Sequence, residues 1–244
     1  MAERGAVNQA SATHPTAGAP ARGDGDSGSW HRSWRRSWLR LRRLVPTPLG
    51  TPFTFFYALV LLATTVFAES ADPALVGRLL SASSTDVVNL VHHPLLVLAA
   101  SGLWIAGSPL SAYTVGFLLV LTALERRVGG LRTAAVFALG HVLATLLTEV
   151  PIGVAVALGR LPDSSLVRLD YGISFGVMAG LGALAGLLGP WPRWILLGAV
   201  GAMLLDDFLV FADPISAWGH PAALLVGIAT WPFVRRARRA RVDR

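Results

Sequence analysis

The sequence contains no cysteine and no lysine, and only 14% of its 244 residues are charged. Without cysteine the chain has no disulfide, no cysteine-ligated metal and no thiol nucleophile. The scarcity of charge argues against an ordinary soluble domain, in which about a quarter of the residues are charged. All 21 basic residues are arginine, which we attribute to genomic base composition rather than to function.

Hydrophobic residues make up 53% of the chain and stand in long uncharged runs between charged patches. A helix that crosses the roughly 30 Å hydrocarbon layer needs about 20 apolar residues, and it satisfies its own backbone hydrogen bonds. The sequence therefore predicts an all-α, multi-pass membrane protein. The net charge of +7 does not indicate nucleic-acid binding, because the excess arginine flanks the apolar runs.

We divide the chain into four segments: a disordered cytoplasmic tail (1–29), a basic amphipathic juxtamembrane segment (30–43), a six-helix membrane domain (44–234) and a basic cytoplasmic tail (235–244). The first tail is rich in Ala, Gly, Ser and Pro, a composition typical of disorder. Trp30, Trp34 and Trp38 recur every four residues with arginine between them. This spacing predicts an amphipathic helix on the membrane surface, with a nucleic-acid-binding arm as the alternative.

The number of spans follows from charge as well as from hydropathy. The uncharged runs are Leu44–Ala68, Val87–Leu124, Thr133–Thr148, Tyr171–Pro192, Trp194–Leu205 and Pro214–Val234. The core of the first run, Phe53–Ala68, is the first span. The second run is long enough for two passes, so hydropathy alone allows six or seven spans. Arginine crowds both termini, which places both in the cytoplasm and requires an even number of spans.

Six spans leave three arginines outside, Arg78, Arg160 and Arg168, and the other 18 of the 21 inside. One half of the long second run is then a non-spanning insert in the outer loop between spans 1 and 2. We expect a plasma-membrane protein whose arginine-rich tails meet anionic lipid headgroups.

Ser174 and His220 are the candidate catalytic residues. With six spans, the fourth and sixth both run from outside to inside, and these residues stand three and six positions after their starts at Tyr171 and Pro214. At 1.5 Å per residue both lie one or two turns below the outer surface, where a serine nucleophile and a histidine base could meet. In the alternative interpretation, Ser174 is only a small residue at a helix interface and His220 caps a helix at the membrane interface. Small residues spaced for close helix packing follow Ser174, at Gly176, Gly180, Gly182 and Gly186.

Three motifs stand in a characteristic order: Glu125-Arg126-Arg127-Val128-Gly129, Gly172-Ile173-Ser174, and His220-Pro221-Ala222-Ala223-Leu224-Leu225-Val226-Gly227. Together they resemble the rhomboid intramembrane serine proteases in the basic six-helix form, over Phe53 to Val234. The resemblance implies that Ser174 is the nucleophile and His220 its general base. It also implies transmembrane helices as substrates, no cofactor and no metal, and a half-inserted outer loop over Asn89–Ala106.

The sequence departs from this family at several positions. Phe175 follows the serine where active members carry glycine. The family's His and Asn oxyanion donors on the second span fall at Pro109 and Tyr113, and Pro221, next to the base, is expected only near a helix start. A catalytically inactive protein that binds or chaperones transmembrane helices is therefore the main alternative, and a small-solute transporter is a third.

Other polar residues in the apolar runs have two interpretations each. The pair His92-His93 is interfacial or binds a metal. His141 is a hydrogen-bonded core residue or handles protons with Glu149. The pair Asp206-Asp207 meets headgroups or lines a polar cavity.

Overall fold

The computed structural model describes residues 44–210 and 213–243, which form helices and turns and contain no strand. The all-α prediction is therefore confirmed for this part of the chain. The predicted disordered tail, 1–29, and the basic segment, 30–43, lie outside the described residues.

The first half contains one long helix, three short ones and a composite one. Their bounds are α1 (Pro52–Ser70), α2 (Pro73–Ser83), α3 (Val87–His92), α4 (Pro94–Ser101), α5 (Ala112–Gly116), a π-helical segment (Phe117–Leu121) and α6 (Thr122–Val128). The last three follow one another without a break. Proline opens α1, α2 and α4, where the missing N–H costs no hydrogen bond. Asp72 and Asp86 cap α2 and α3 by accepting from backbone N–H groups at 2.9 and 3.0 Å.

The second half contains longer helices. Their bounds are α7 (Gly130–Ala157), a 3-10 turn (Asp163–Leu166), α8 (Ser174–Ala185), α9 (Pro190–Val210), α10 (Pro214–Ala229) and α11 (Trp231–Val242). The uncharged run Tyr171–Pro192 is longer than its helix, because the chain turns after Ala185 and Pro190 starts α9. Within residues 44–210 and 213–243, two helices are long and apolar enough by themselves to cross a membrane, α1 and α7, and α8 is a shorter apolar helix.

In the described part of the chain, large apolar side chains are exposed on the outer faces, and several polar side chains are buried among the apolar ones. Exposed faces of α1 and α9 carry large apolar side chains such as Phe56, Leu62 and Leu209. The buried side chains of α7 include polar residues, at Thr133, His141, Thr145, Thr148 and Glu149. An apolar exterior of this extent is stable in lipid but not in water.

The centre of the bundle is α8, which packs against α7 and α10. A Cβ added at Gly182 would strike the backbone carbonyl of Leu224, and one added at Gly227 would strike that of Ala179. The two backbones therefore touch through reciprocal glycines, as small-residue packing predicts. Gly176 instead faces the Phe137 ring.

Glu125 joins the start of α1 to the end of α6. Its buried carboxylate accepts hydrogen bonds from the N–H of Phe53 at 2.9 Å and from the N–H and hydroxyl of Thr54 at 2.8 and 2.7 Å. Gly129 follows with a φ of +91°, which favours glycine. The Glu-x-x-x-Gly motif thus caps one helix and starts α7.

Candidate active site

A cavity of about 290 Å³ opens where α5, α8 and α10 begin. Its polar lining comes from the first turns of these helices and from the connection before α8. It includes Ser111, Tyr113, Asp170, Ser174, Asp213, Ser216 and His220. The two candidate catalytic residues thus line one cavity.

Ser174 is the first residue of α8, and Phe175 and Gly176 follow it in the first turn. The leading N–H groups of a helix have no intrahelical acceptor, and no side chain caps them here. Gly172, two residues earlier, has a φ of +129° and donates its N–H to the carbonyl of Ser101 at 2.9 Å. The hydroxyl of Ser174 therefore stands at an uncapped helix N-terminus, where donors and the helix dipole favour negative charge.

His220 is 4% exposed and lies on the second turn of α10. Its Nδ1 shares a hydrogen bond with the hydroxyl of Tyr113 at 2.9 Å, and the two ring centroids are 4.8 Å apart. The ring of Phe175 meets the imidazole edge to face at 5.5 Å. Nε2 is buried and has no hydrogen-bond partner among the described residues. The imidazole is thus held through one nitrogen while the other is unused.

No hydrogen bond joins Ser174 to His220 within the described part of the chain. Phe175 packs at the contact between α8 and α10, where a Cβ on Gly219 would strike its ring. The residue that replaces the family's glycine therefore touches the candidate base directly.

Tyr113 is the contact that sequence reasoning missed. The family's spacing places Tyr113 only at the position of an oxyanion donor, whereas its hydroxyl shares a hydrogen bond with His220 Nδ1. The only available signal was its position at the start of the second predicted span, because the partner lies 107 residues away.

Pro221 does not lie near a helix start, the position where a proline next to the candidate base is tolerated best. Pro221 lies inside α10, seven residues after Pro214. The absent N–H leaves the carbonyl of Ala217 without its usual donor. Helices packed in a membrane tolerate such a proline, since neighbouring groups and local adjustments compensate the freed carbonyl.

Two hydrogen-bonded connections hold the segment before α8. Thr85 donates its N–H and hydroxyl to Asp170, and Asp170 donates its own N–H to Ser84 at 3.0 Å. Burial raises the pKa of the Asp170 carboxyl above its usual value, and the hydrogen bond from Thr85 opposes that rise. On the other side, Ser101 contacts His141 Nε2 at 3.0 Å while its carbonyl accepts from Gly172.

The remaining polar residues lie apart from the cavity. His141 is a buried, hydrogen-bonded residue, and Glu149 pairs with Arg168 at 2.5 Å, the only ion pair in the described ranges. His92 is exposed and contacts the carbonyl of Val88. No group of three or more His, Cys, Asp or Glu is placed to hold a metal within residues 44–210 and 213–243. Asp206-Asp207 is exposed on α9.

The family model for rhomboid-like proteins matches residues 49–240, most of the chain. No curated protein and no solved structure matches the chain. The matched range contains all three motifs and every residue that lines the cavity.

Proposed function

The chain belongs to the rhomboid-like protein family, and on that premise we propose that it is an intramembrane serine endopeptidase that cleaves transmembrane helices of other proteins. One observation carries this proposal: Ser174 and His220 line the same cavity, with the His220 imidazole fixed by Tyr113 and its Nε2 buried and unused. A serine–histidine dyad requires an oriented imidazole with a free nitrogen that can reach the serine, and a shared cavity is compatible with that requirement.

The proposed chemistry uses only groups of this chain. Nδ1–H of His220 donates to the oxygen of Tyr113, which leaves the Nε2 lone pair free to take the proton of Ser174. The serine oxygen attacks the scissile carbonyl carbon, and the C–O π electrons move onto the oxyanion. Backbone N–H groups at the start of α8 stabilise that charge. His220 then protonates the leaving amine as the C–N bond breaks, and water hydrolyses the acyl-enzyme by the same route.

The membrane topology is part of the proposal. Six spans would be α1, the composite helix α5–α6, α7, α8, α9 and α10, with both termini in the cytoplasm. The short helices α2, α3 and α4 support the inserted outer loop, since the longest has 11 residues. The span α8 has only 12 residues, but it is buried between α7 and α10 instead of facing lipid. The arginines of α11 support a cytoplasmic carboxyl end.

The natural absence of cysteine makes topology directly testable. Ser164, in the connection before α8, and Arg236, on α11, are both exposed, so a single cysteine is introduced at one or the other. A membrane-impermeant maleimide added to intact cells should label Ser164→Cys but not Arg236→Cys until the cells are lysed. Labelling of both sites, or of neither, before lysis would contradict the proposed orientation.

The second candidate is a catalytically inactive protein that binds transmembrane helices. It is favoured by the missing Ser174–His220 hydrogen bond and by the Phe175 ring against the imidazole. Both candidates use the same fold and cavity, so only chemistry separates them.

The deciding experiment uses the full chain in proteoliposomes with synthetic transmembrane substrates. We expect cleavage by the parent and none by Ser174→Ala or His220→Ala, while Ser216→Ala, which removes another hydroxyl that lines the cavity, stays active. Absence of cleavage in the parent, with retained binding of the helices, would establish the inactive alternative.

A further inference from the structure

The helix α11 is folded onto the bundle at the end opposite to the candidate active site. Val234 and Ala237 are buried in a cluster with residues of α6, α7 and α8, among them Leu124, Val136 and Ala183. This packing fixes the rotation of α11 about its axis, and with it the face of the helix on which each arginine lies.

Arginine side chains from α9 and α11 contact the last carbonyl of α8 and the two carbonyls that follow it. Arg193 donates to Ala185 at 3.0 Å, Arg235 to Gly186 at 3.0 Å, and Arg238 to Leu187 at 2.8 Å. The guanidinium groups of Arg193 and Arg235 also lie over the Trp231 ring, 5.1 and 4.8 Å from its centroid. Since each guanidinium has five N–H donors, these contacts orient the arginines without exhausting them.

A second cavity, of about 300 Å³, lies between the end of α8 and α11. Its lining is Gly186, Leu187, Arg235, Arg238, Arg239 and Asp243. Three positive charges thus face one negative charge, and no ion pair joins them within the described residues. Arg239 is exposed and has no hydrogen bond from its side chain among the described residues. Three arginines beside a single carboxylate leave an excess of positive charge that favours an anion, and the planar guanidinium matches phosphate oxygens.

Exposed tryptophans indicate the level of this cavity in the membrane. Trp191 and Trp194 flank Arg193 at the start of α9 and are 82% and 66% exposed. Tryptophan concentrates at the headgroup level of a bilayer, so the neighbouring cavity lies where lipid phosphates are.

We propose that the cavity formed by Arg235, Arg238 and Arg239 at the end of α8 binds the phosphate ester of an anionic lipid headgroup. The site is independent of the proposed protease activity. It differs from a general attraction of basic tails to anionic membranes, because it depends on which arginine faces the cavity.

The chain supplies a matched pair of variants to test this. Arg239 and Arg236 are exposed, lie on the same helix and lose the same charge on substitution by glutamine, but only Arg239 lines the cavity. The purified full chain is titrated with phosphatidylglycerol or with phosphatidylcholine of the same acyl chains, and bound lipid is counted by native mass spectrometry.

We expect Arg239→Gln to weaken the tightest phosphatidylglycerol binding about fivefold and Arg236→Gln by less than about twofold. Phosphatidylcholine should bind weakly to all three proteins. Equal losses in both variants, or no loss in Arg239→Gln, would overturn the proposal. Displacement of the lipid by millimolar inorganic phosphate, with Arg239-dependent phosphate binding, would assign the site to free phosphate and overturn the lipid assignment.

Discussion

Replacing Tyr113 with phenylalanine removes the one hydrogen bond that orients the candidate base. The hydroxyl lies 2.9 Å from His220 Nδ1, and the ring-to-ring contact at 4.8 Å survives the change. The imidazole would keep its packing but lose the hydrogen-bond partner of its Nδ1.

The expected magnitude follows from the burial of His220, which is 4% exposed. A buried polar group left without a partner costs about 1–3 kcal/mol. If the bond is needed to keep Nε2 free as a base, the same energy slows the reaction about five- to 150-fold. We therefore expect the labelling rate of Ser174 at saturating fluorophosphonate to fall within that range. The probe concentration that gives half the maximal labelling rate should stay nearly constant, because Tyr113 acts through His220 rather than on the bound probe.

The control is Tyr57→Phe. Its hydroxyl donates to the carbonyl of Gly102 at 2.5 Å and does not touch His220. The assay is the rate at which a fluorophosphonate probe labels Ser174 in reconstituted protein, with thermal unfolding measured in parallel. Tyr57→Phe should lower the unfolding midpoint but not the labelling rate of the folded fraction. Equal labelling rates in Tyr113→Phe and the parent would refute the claim that the hydrogen bond with Tyr113 orients the base.

Three further perturbations test the fold around the site. Gly182→Ala should lower the free energy of unfolding by about 1–3 kcal/mol, because the added Cβ meets the Leu224 backbone. Gly198→Ala, which has open space on α9, should leave it unchanged. Equal unfolding midpoints of the two variants would contradict this packing. Glu125→Gln should lower the free energy of unfolding by about 1.5–3 kcal/mol, because the charged cap of α1 is lost. Glu69→Gln changes an exposed residue at the other end of α1 and should leave stability unchanged in the same denaturation assay. Burial raises the pKa of Asp170, so the folded state holds its proton more tightly than the unfolded state, and stability falls as pH rises from the usual aspartate range through the raised value. Asp170→Asn should flatten that slope in a pH series of thermal midpoints, and an unchanged slope would show that Asp170 is not its source.

The helical class and the family were predictable because they depend on composition and on local motifs. Long uncharged runs predict helices, and the order of the Glu125, Ser174 and His220 motifs carried the resemblance that the family match confirms. Small residues after Ser174 predicted close packing of α8, although only Gly182 lies at the backbone contact with α10.

The contacts that organise the site were not predictable, because they join residues far apart in sequence. Nothing local to Tyr113 indicates that it meets His220, and nothing local to Ser101 indicates that its carbonyl holds Gly172 while its hydroxyl meets His141. Pro221 shows a related limit of local rules: proline is most comfortable near a helix start, but packing between helices allows it inside α10.

The central claim is that Ser174 is a nucleophile activated by His220. Peptide mapping of the fluorophosphonate adduct by mass spectrometry tests it most directly. The account predicts that the adduct of the parent protein is on Ser174 and that it is lost in His220→Ala. An adduct on another serine such as Ser216, or equal labelling of Ser174 in His220→Ala, would contradict it.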